Sequence, residues 1–70
     1  MPQKIRQLKA ALAKAGFFFR PGKGSHTVWE HPSLPGVTVT LAGKDGKDAQ
    51  PYQVDDVKKA LKRLEERKGK

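Results

Sequence analysis

The chain has 70 residues, fifteen Lys or Arg against seven Asp or Glu, and a formal net charge of +8. It contains no cysteine, which excludes disulfides and thiolate metal sites, and no apolar run reaches the length of a membrane span. So large a positive field on so small a surface attracts polyanions, of which nucleic acid is the commonest, with an acidic protein partner as the competing explanation.

The length allows one domain, spanning residues 1–70, with a modest core. The first residues are amphipathic and charged rather than patterned as a secretory signal, so the cytosol is the expected compartment.

Residues 2–15 read as a helix. Ile5, Leu8, Leu12 and Ala15 recur at three- and four-residue steps, Pro2 suits a first turn, and Lys4, Lys9 and Lys14 lie off the apolar stripe. Gly16 stands where a left-handed C-terminal cap is expected. Phe17 to Arg20 is a short aromatic strand, with Phe17 and Phe19 on one face and Phe18 on the other. Pro21, Gly22, Lys23 and Gly24 supply turn chemistry.

Residues 25–31 form the next strand. Trp29 is expected to face the helices, leaving His26, Val28 and Glu30 on the opposite face. A loop with two prolines covers 32–36. The segment 37–41 alternates, with Val37, Val39 and Leu41 inward and Thr38 and Thr40 outward. After a polar, glycine-containing loop at 42–50 comes a second helix, from about 52 to 67. Val54, Val57, Leu61 and Leu64 form its stripe, with Ala60 alongside. Asp55 and Asp56 are expected in its first turn and basic residues thicken toward its end, as the helix dipole favours. The last three residues are expected to fray.

The order is α-β-β-β-α, an α+β class. Three consecutive strands with short turns make a three-stranded antiparallel sheet. Two helices with one apolar stripe each must cover a single face of it, leaving the other wet. This is the layout of a double-stranded-RNA-binding-domain-like fold, which in a basic chain leans toward RNA.

The chemistry concentrates between Pro21 and Pro32. Gly22 and Gly24 let the backbone approach a phosphate closely with N–H groups available, and Lys23 adds a cation. His26 follows Ser25, and histidine takes or gives a proton near neutral pH. RNA carries its own nucleophile in the 2′-OH, so one base and a few cations suffice for its cleavage, with no metal or other cofactor. The alternative is that His26 is an ordinary polar residue at a strand start.

Two histidines fall short of the ligands a catalytic zinc site needs. Asp45 and Asp48, the one loop pair of carboxylates, are flanked by lysines and make a poor Mg²⁺ site. Ser25 and His26 are strand neighbours and point to opposite faces, which argues against a serine nucleophile. His31 reads as a hydrogen-bonded strand-end residue. Phe18 is either partly covered by Val28 or an aromatic contact on the open face.

The run GFFFRPGKGSHTVWEHP resembles the signature of the HicA toxin family: a first helix ending in Gly, an aromatic-led strand, then KGSH and an aromatic three residues after the His. The tail GKDGKDAQPYQVDDVKKAL resembles one branch of the same family, and the resemblance runs from about residue 4 to 65. It implies a double-stranded-RNA-binding-domain-like toxin that cleaves mRNA independently of the ribosome and halts translation. It also implies that His26 is the catalytic residue and that a HicB-type antitoxin covers the active site. The chain departs from many members in lacking a Pro-His element after the third strand, where it reads VTVTLAGKD. If a second acid is expected there, Lys44, Lys47, water or nothing takes its place.

Taken together, His26 is expected to deprotonate a ribose 2′-OH. Arg20, Lys23, Ser25 and the Gly22–Gly24 backbone would hold the phosphate, and Lys44 and Lys47 would line the RNA path. The alternatives are a non-catalytic RNA-binding domain and a basic module for an acidic protein.

Overall fold

The computed structural model describes residues 3–68 and has the element order α1 (Ile5–Lys14), β1 (Phe18–Pro21), β2 (Thr27–Glu30), β3 (Thr38–Leu41) and α2 (Pro51–Lys68). The strands form one antiparallel sheet in the order β1-β2-β3. Both helices pack on one face of it, as expected for the double-stranded-RNA-binding-domain-like layout. Among the described residues, no helix is long and apolar enough to cross a membrane.

Register settles which side chains meet the helices. Phe19 pairs with Trp29, and Trp29 with Val39. Thr27 pairs with Leu41 on the same face. Trp29, Val39 and Leu41 are buried there with Leu8 and Leu12 of α1 and Val57, Ala60 and Leu64 of α2. The indole N–H of Trp29 donates to Thr27 Oγ1 at 2.9 Å, which satisfies the polar end of a buried ring. The opposite face carries Phe18, Arg20, Val28, Glu30, Thr38 and Thr40, alternate residues of the three strands.

Several boundaries differ from the sequence expectation. Helix α1 begins at Ile5 because Lys4 is its extended N-cap, and Gln7 reaches back to accept the Lys4 N–H at 2.7 Å. Pro2 lies outside the described residues, as do Gly69 and Lys70 of the expected frayed end; Lys68 is helical. Gly16, at φ +98°, ends α1 in the expected left-handed conformation.

Phe17 precedes β1 rather than opening it, and is buried edge-on against His31 with ring centroids 5.0 Å apart. Phe19 does face the helix side, with its ring 5.0 Å from that of Trp29, yet it is 55 % exposed because β1 is an edge strand. Ser25 and His26 belong to the turn before β2, and Val37 precedes β3. Leu34, in the two-proline loop, is buried and completes the core. Helix α2 starts at Pro51, the first-turn position proline suits, so Asp55 and Asp56 fall beyond the first turn and the acidic half of the expected dipole match is absent, while the basic residues do gather toward its end.

Candidate functional site

The β1–β2 hairpin presents His26. Beyond the last ladder pair, Pro21 with Thr27, the Gly22 N–H donates to the His26 carbonyl at 2.9 Å, and the His26 N–H donates to the Lys23 carbonyl at 3.0 Å. These bonds close a tip of Lys23, Gly24 and Ser25, with Gly24 at φ +59°. Gly22 and His26 continue the pairing, so His26 extends the open-face row of Val28 and Glu30. Directly across from it stands a residue without a side chain. A Cβ on Gly22 would lie 3.2 Å from His26 Cβ, so glycine leaves the notch in which the exposed His26 side chain stands. Among the described residues the His26 ring makes no hydrogen bond.

The second component is the 42–50 loop, held against the start of α1. The Ile5 N–H donates to the Lys47 carbonyl at 2.9 Å and the Arg6 N–H to the Asp45 carbonyl at 3.1 Å, which satisfies donors a helix start leaves open. The Ala49 N–H donates to the Gln3 carbonyl at 2.7 Å. Asp48 pairs with Lys4 at 2.6 Å and Asp45 with Lys9 at 2.7 Å. Exposed pairs of this kind each stabilise by only about 0–1 kcal/mol, but they orient the loop.

With both aspartates occupied by α1, Lys44 and Lys47 line an open concavity of about 550 Å³ with Gly43, Gly46 and Ser25. Ser25 Oγ accepts the Gly43 N–H at 3.2 Å, which ties the hairpin tip to this loop. The two segments that the sequence separates by almost twenty residues thus form one basic surface.

Charge is distributed in keeping with this. Up to residue 50 there are eight Lys or Arg and three acids; beyond it there are seven and four. All three acids of the first part are engaged: Glu30 with Arg20, Asp45 with Lys9 and Asp48 with Lys4. Among the described residues Lys23, Lys44 and Lys47 have no such partner, so their charge is open to a polyanion.

One expectation is corrected, that the Gly22 N–H serves a phosphate, and Glu30 on the His26 face is already engaged: its carboxylate accepts from Arg20 Nε at 2.7 Å across the open face. Arg20 therefore meets any phosphate already paired. The Gly22 N–H is taken by the hairpin, so of the expected phosphate donors in this stretch the amides left at the tip are those of Lys23, Gly24 and Ser25.

His31 is hydrogen-bonded at both ring nitrogens. Nδ1 accepts the Ser33 N–H at 3.0 Å, which leaves Nε2 as the protonated nitrogen facing the Ala15 carbonyl at 3.2 Å. That carbonyl is one the end of α1 leaves without a helical partner. Phe18, 49 % exposed, projects from the open face beside the Arg20–Glu30 pair.

Sequence patterns did not single out Gln53 or Gly43. Gln53 is buried under the end of β3, and its one signal is its place three residues after Gln50, the position from which a glutamine caps a helix. Gly43 has φ +116°, which no composition rule assigns to it rather than to Gly46 of the same loop.

No curated protein and no solved structure matches this chain. The family model described as the HicA toxin of bacterial toxin–antitoxin systems matches residues 5–65, from the first buried residue of α1 to one residue past the last buried leucine of α2. That span takes in all three strands, the hairpin tip with His26 and the 42–50 loop, and the chain belongs to the HicA toxin family, the toxin half of a toxin–antitoxin pair.

Proposed function

We propose that this toxin is a metal-independent endoribonuclease that cleaves mRNA through His26 and thereby halts translation. The observation that carries the reading is the placement of an exposed histidine opposite a glycine, at the tip of a hairpin whose Ser25 is bonded to the loop bearing Lys44 and Lys47. RNA supplies the nucleophile, so the protein needs a base and charge stabilisation rather than a nucleophile of its own.

His26 removes the proton from a ribose 2′-OH. The O2′ forms a bond to the adjacent phosphorus and the P–O5′ bond breaks, leaving a 2′,3′-cyclic phosphate. The O5′ leaving group takes its proton from water or from Lys44 or Lys47. Lys23, the tip amides of Lys23, Gly24 and Ser25, and the loop lysines hold the phosphate charge as it develops. Arg20 joins them through a guanidinium that Glu30 holds in place. Gly22 contributes room for the imidazole rather than a donor.

The antitoxin partner of the family is, on this reading, a HicB-type protein that covers the same basic surface, and the toxin works in the cytoplasm as one domain. The lack of any hydrogen-bonded group orienting the His26 ring among the described residues favours a second reading, a non-catalytic RNA-binding domain of the same fold. A gel assay of the purified protein on a long mRNA with chelator present separates the two. Cleavage by the wild type and none by His26→Ala is the expected result. RNA that is retarded but intact with both proteins overturns catalysis and leaves binding.

A further inference from the structure

Among the described residues Gln53 is the polar side chain that is buried, at 2 % exposure. Both ends of its amide are engaged. Oε1 accepts the Gln50 N–H at 2.8 Å, and Nε2 donates to the Ala42 carbonyl at 3.1 Å. The partners fix the orientation of the amide, because a backbone N–H only donates and a carbonyl only accepts.

The first bond caps α2. Gln7 makes the equivalent bond for α1 from an exposed position, so capping alone does not call for a glutamine buried beneath the sheet. The second bond does. It lands on the peptide unit that joins Ala42 to Gly43, whose N–H donates to Ser25 Oγ at 3.2 Å. The C=O and N–H of a trans peptide point in opposite directions, so this one plane is gripped from two sides, by the start of α2 and by the hairpin tip. Turning the plane breaks both bonds at once. Gly43 at φ +116° supplies the backbone conformation that the arrangement requires.

We propose that Gln53 is a positioning residue for the site: by fixing the Ala42–Gly43 peptide it sets the orientation of Ser25, and through Ser25 that of the adjoining His26. The inference rests on the reading of His26 as the general base. Gln53 is buried and does not touch RNA. Its clamp joins the segment carrying the base to the loop carrying Lys44 and Lys47, so that base and cations keep one geometry relative to the scissile phosphate.

The test uses the full chain well below its unfolding temperature. Gln53→Met removes both amide bonds at similar volume. It is expected to lower kcat by about tenfold or more with KM little changed, because misplacement of a reacting group acts on the chemical step. Ser25→Ala is expected to act on kcat in the same way, and the double variant to be no slower than the slower single one, since all interrupt one chain of contacts. Gln7→Ala, which loses the same kind of cap elsewhere, keeps the wild-type kcat. Independently of activity, amide exchange at Gly43 accelerates in Gln53→Met while Leu8 and Leu12 keep their protection.

Gly43→Ala serves as a second variant that leaves the core alone. The new Cβ would meet neighbours only at ordinary contact distances, 3.6 Å at the nearest, but the positive φ is disfavoured, and the same loss of kcat is expected. A wild-type kcat in Gln53→Met or Gly43→Ala, unchanged Gly43 exchange in Gln53→Met, or additive losses with Ser25→Ala overturn the proposal. If wild type and His26→Ala are equally inactive, it is the general-base reading that fails, and the exchange of Gly43 still decides whether Gln53 holds the peptide.

Discussion

His26 and His31 stand at the two ends of β2, and each lies against a glycine whose missing side chain makes room for it: Gly22 for His26 and Gly16 for His31. Their surroundings then diverge. His31 is half-buried, stacked edge-on by Phe17, and bonded through Nδ1 to Ser33 and through Nε2 to Ala15. It joins the end of α1 to the loop after β2. His26 is exposed, unbonded at its ring among the described residues, and set beside a surface of unpaired lysines. The same side chain holds the fold together in one place and is left free for a ligand in the other. The glycine turn before His26 and the proline after His31 already set them apart in sequence; the register and the loops then decide what is brought up to each ring.

Exchanging each histidine for alanine breaks the comparison most directly. In His26→Ala, RNA cleavage should fall by about 10²–10⁴-fold, the range for loss of a general base. The unfolding temperature should barely move, because an exposed residue without partners contributes within about 0.5 kcal/mol. His31→Ala should do the reverse. Loss of two hydrogen bonds and an aromatic contact is expected to remove about 2 kcal/mol, read as a fall in unfolding midpoint, with the cleavage rate per folded molecule preserved. A His31 variant that is stable but inactive would assign the chemistry to the wrong ring.

The two glycines sharpen the contrast. Gly16→Ala places a Cβ 3.1 Å from His31 Nε2 at a φ of +98°, and should cost about 1–2 kcal/mol of stability. Gly22→Ala pushes on His26 Cβ instead, at a φ open to alanine. It should lower cleavage several-fold, on the order of 1 kcal/mol in the barrier, with a smaller effect on the midpoint. The mildest effect is expected from Lys44→Ala and Lys47→Ala. Each should reduce the slope of log affinity for single-stranded RNA against log salt by about 0.7, and unchanged slopes would remove the loop from the RNA path.

The apolar stripes were legible in the sequence because helical and strand periods are short-range facts. Ile5, Leu8 and Leu12, then Val39 and Leu41, then Val57 and Leu64, are all buried where their spacing puts them. Leu34 was not legible, since a single leucine among prolines has no period to betray it. Phe19 faces the expected way but stays half uncovered, because alternation gives a direction and not a neighbour.

At the site, the glycine-flanked turn and His26 were visible as a pattern, as were the lysines of the 42–50 loop. Three things depended on strand register and folding rather than on composition: that Glu30 is taken by Arg20, that the Gly22 N–H is used within the hairpin, and that Ser25 meets Gly43. Gln53 lay hidden for the same reason. Its cap is a local rule, whereas its bond to Ala42 follows only from how α2 is laid under the sheet.

The way the 42–50 loop closes the start of α1 has a consequence for the order in which the molecule comes into being. Lys4 and Lys9 find their partners 44 and 36 residues further along the chain, and the first amides of the helix, at Ile5 and Arg6, are satisfied by that same distant loop. A growing chain on the ribosome can wind the middle of α1 from its own residues, but its first turn waits for a segment made much later. Ser25 likewise has no Gly43 to hold until then. The basic surface is thus assembled only once the 42–50 loop has been made, rather than built up gradually. Protection of the Ile5 and Arg6 amides in nascent chains of increasing length should appear only once the 42–50 loop has emerged. A chain cut short before the 42–50 loop therefore lacks the assembled basic surface.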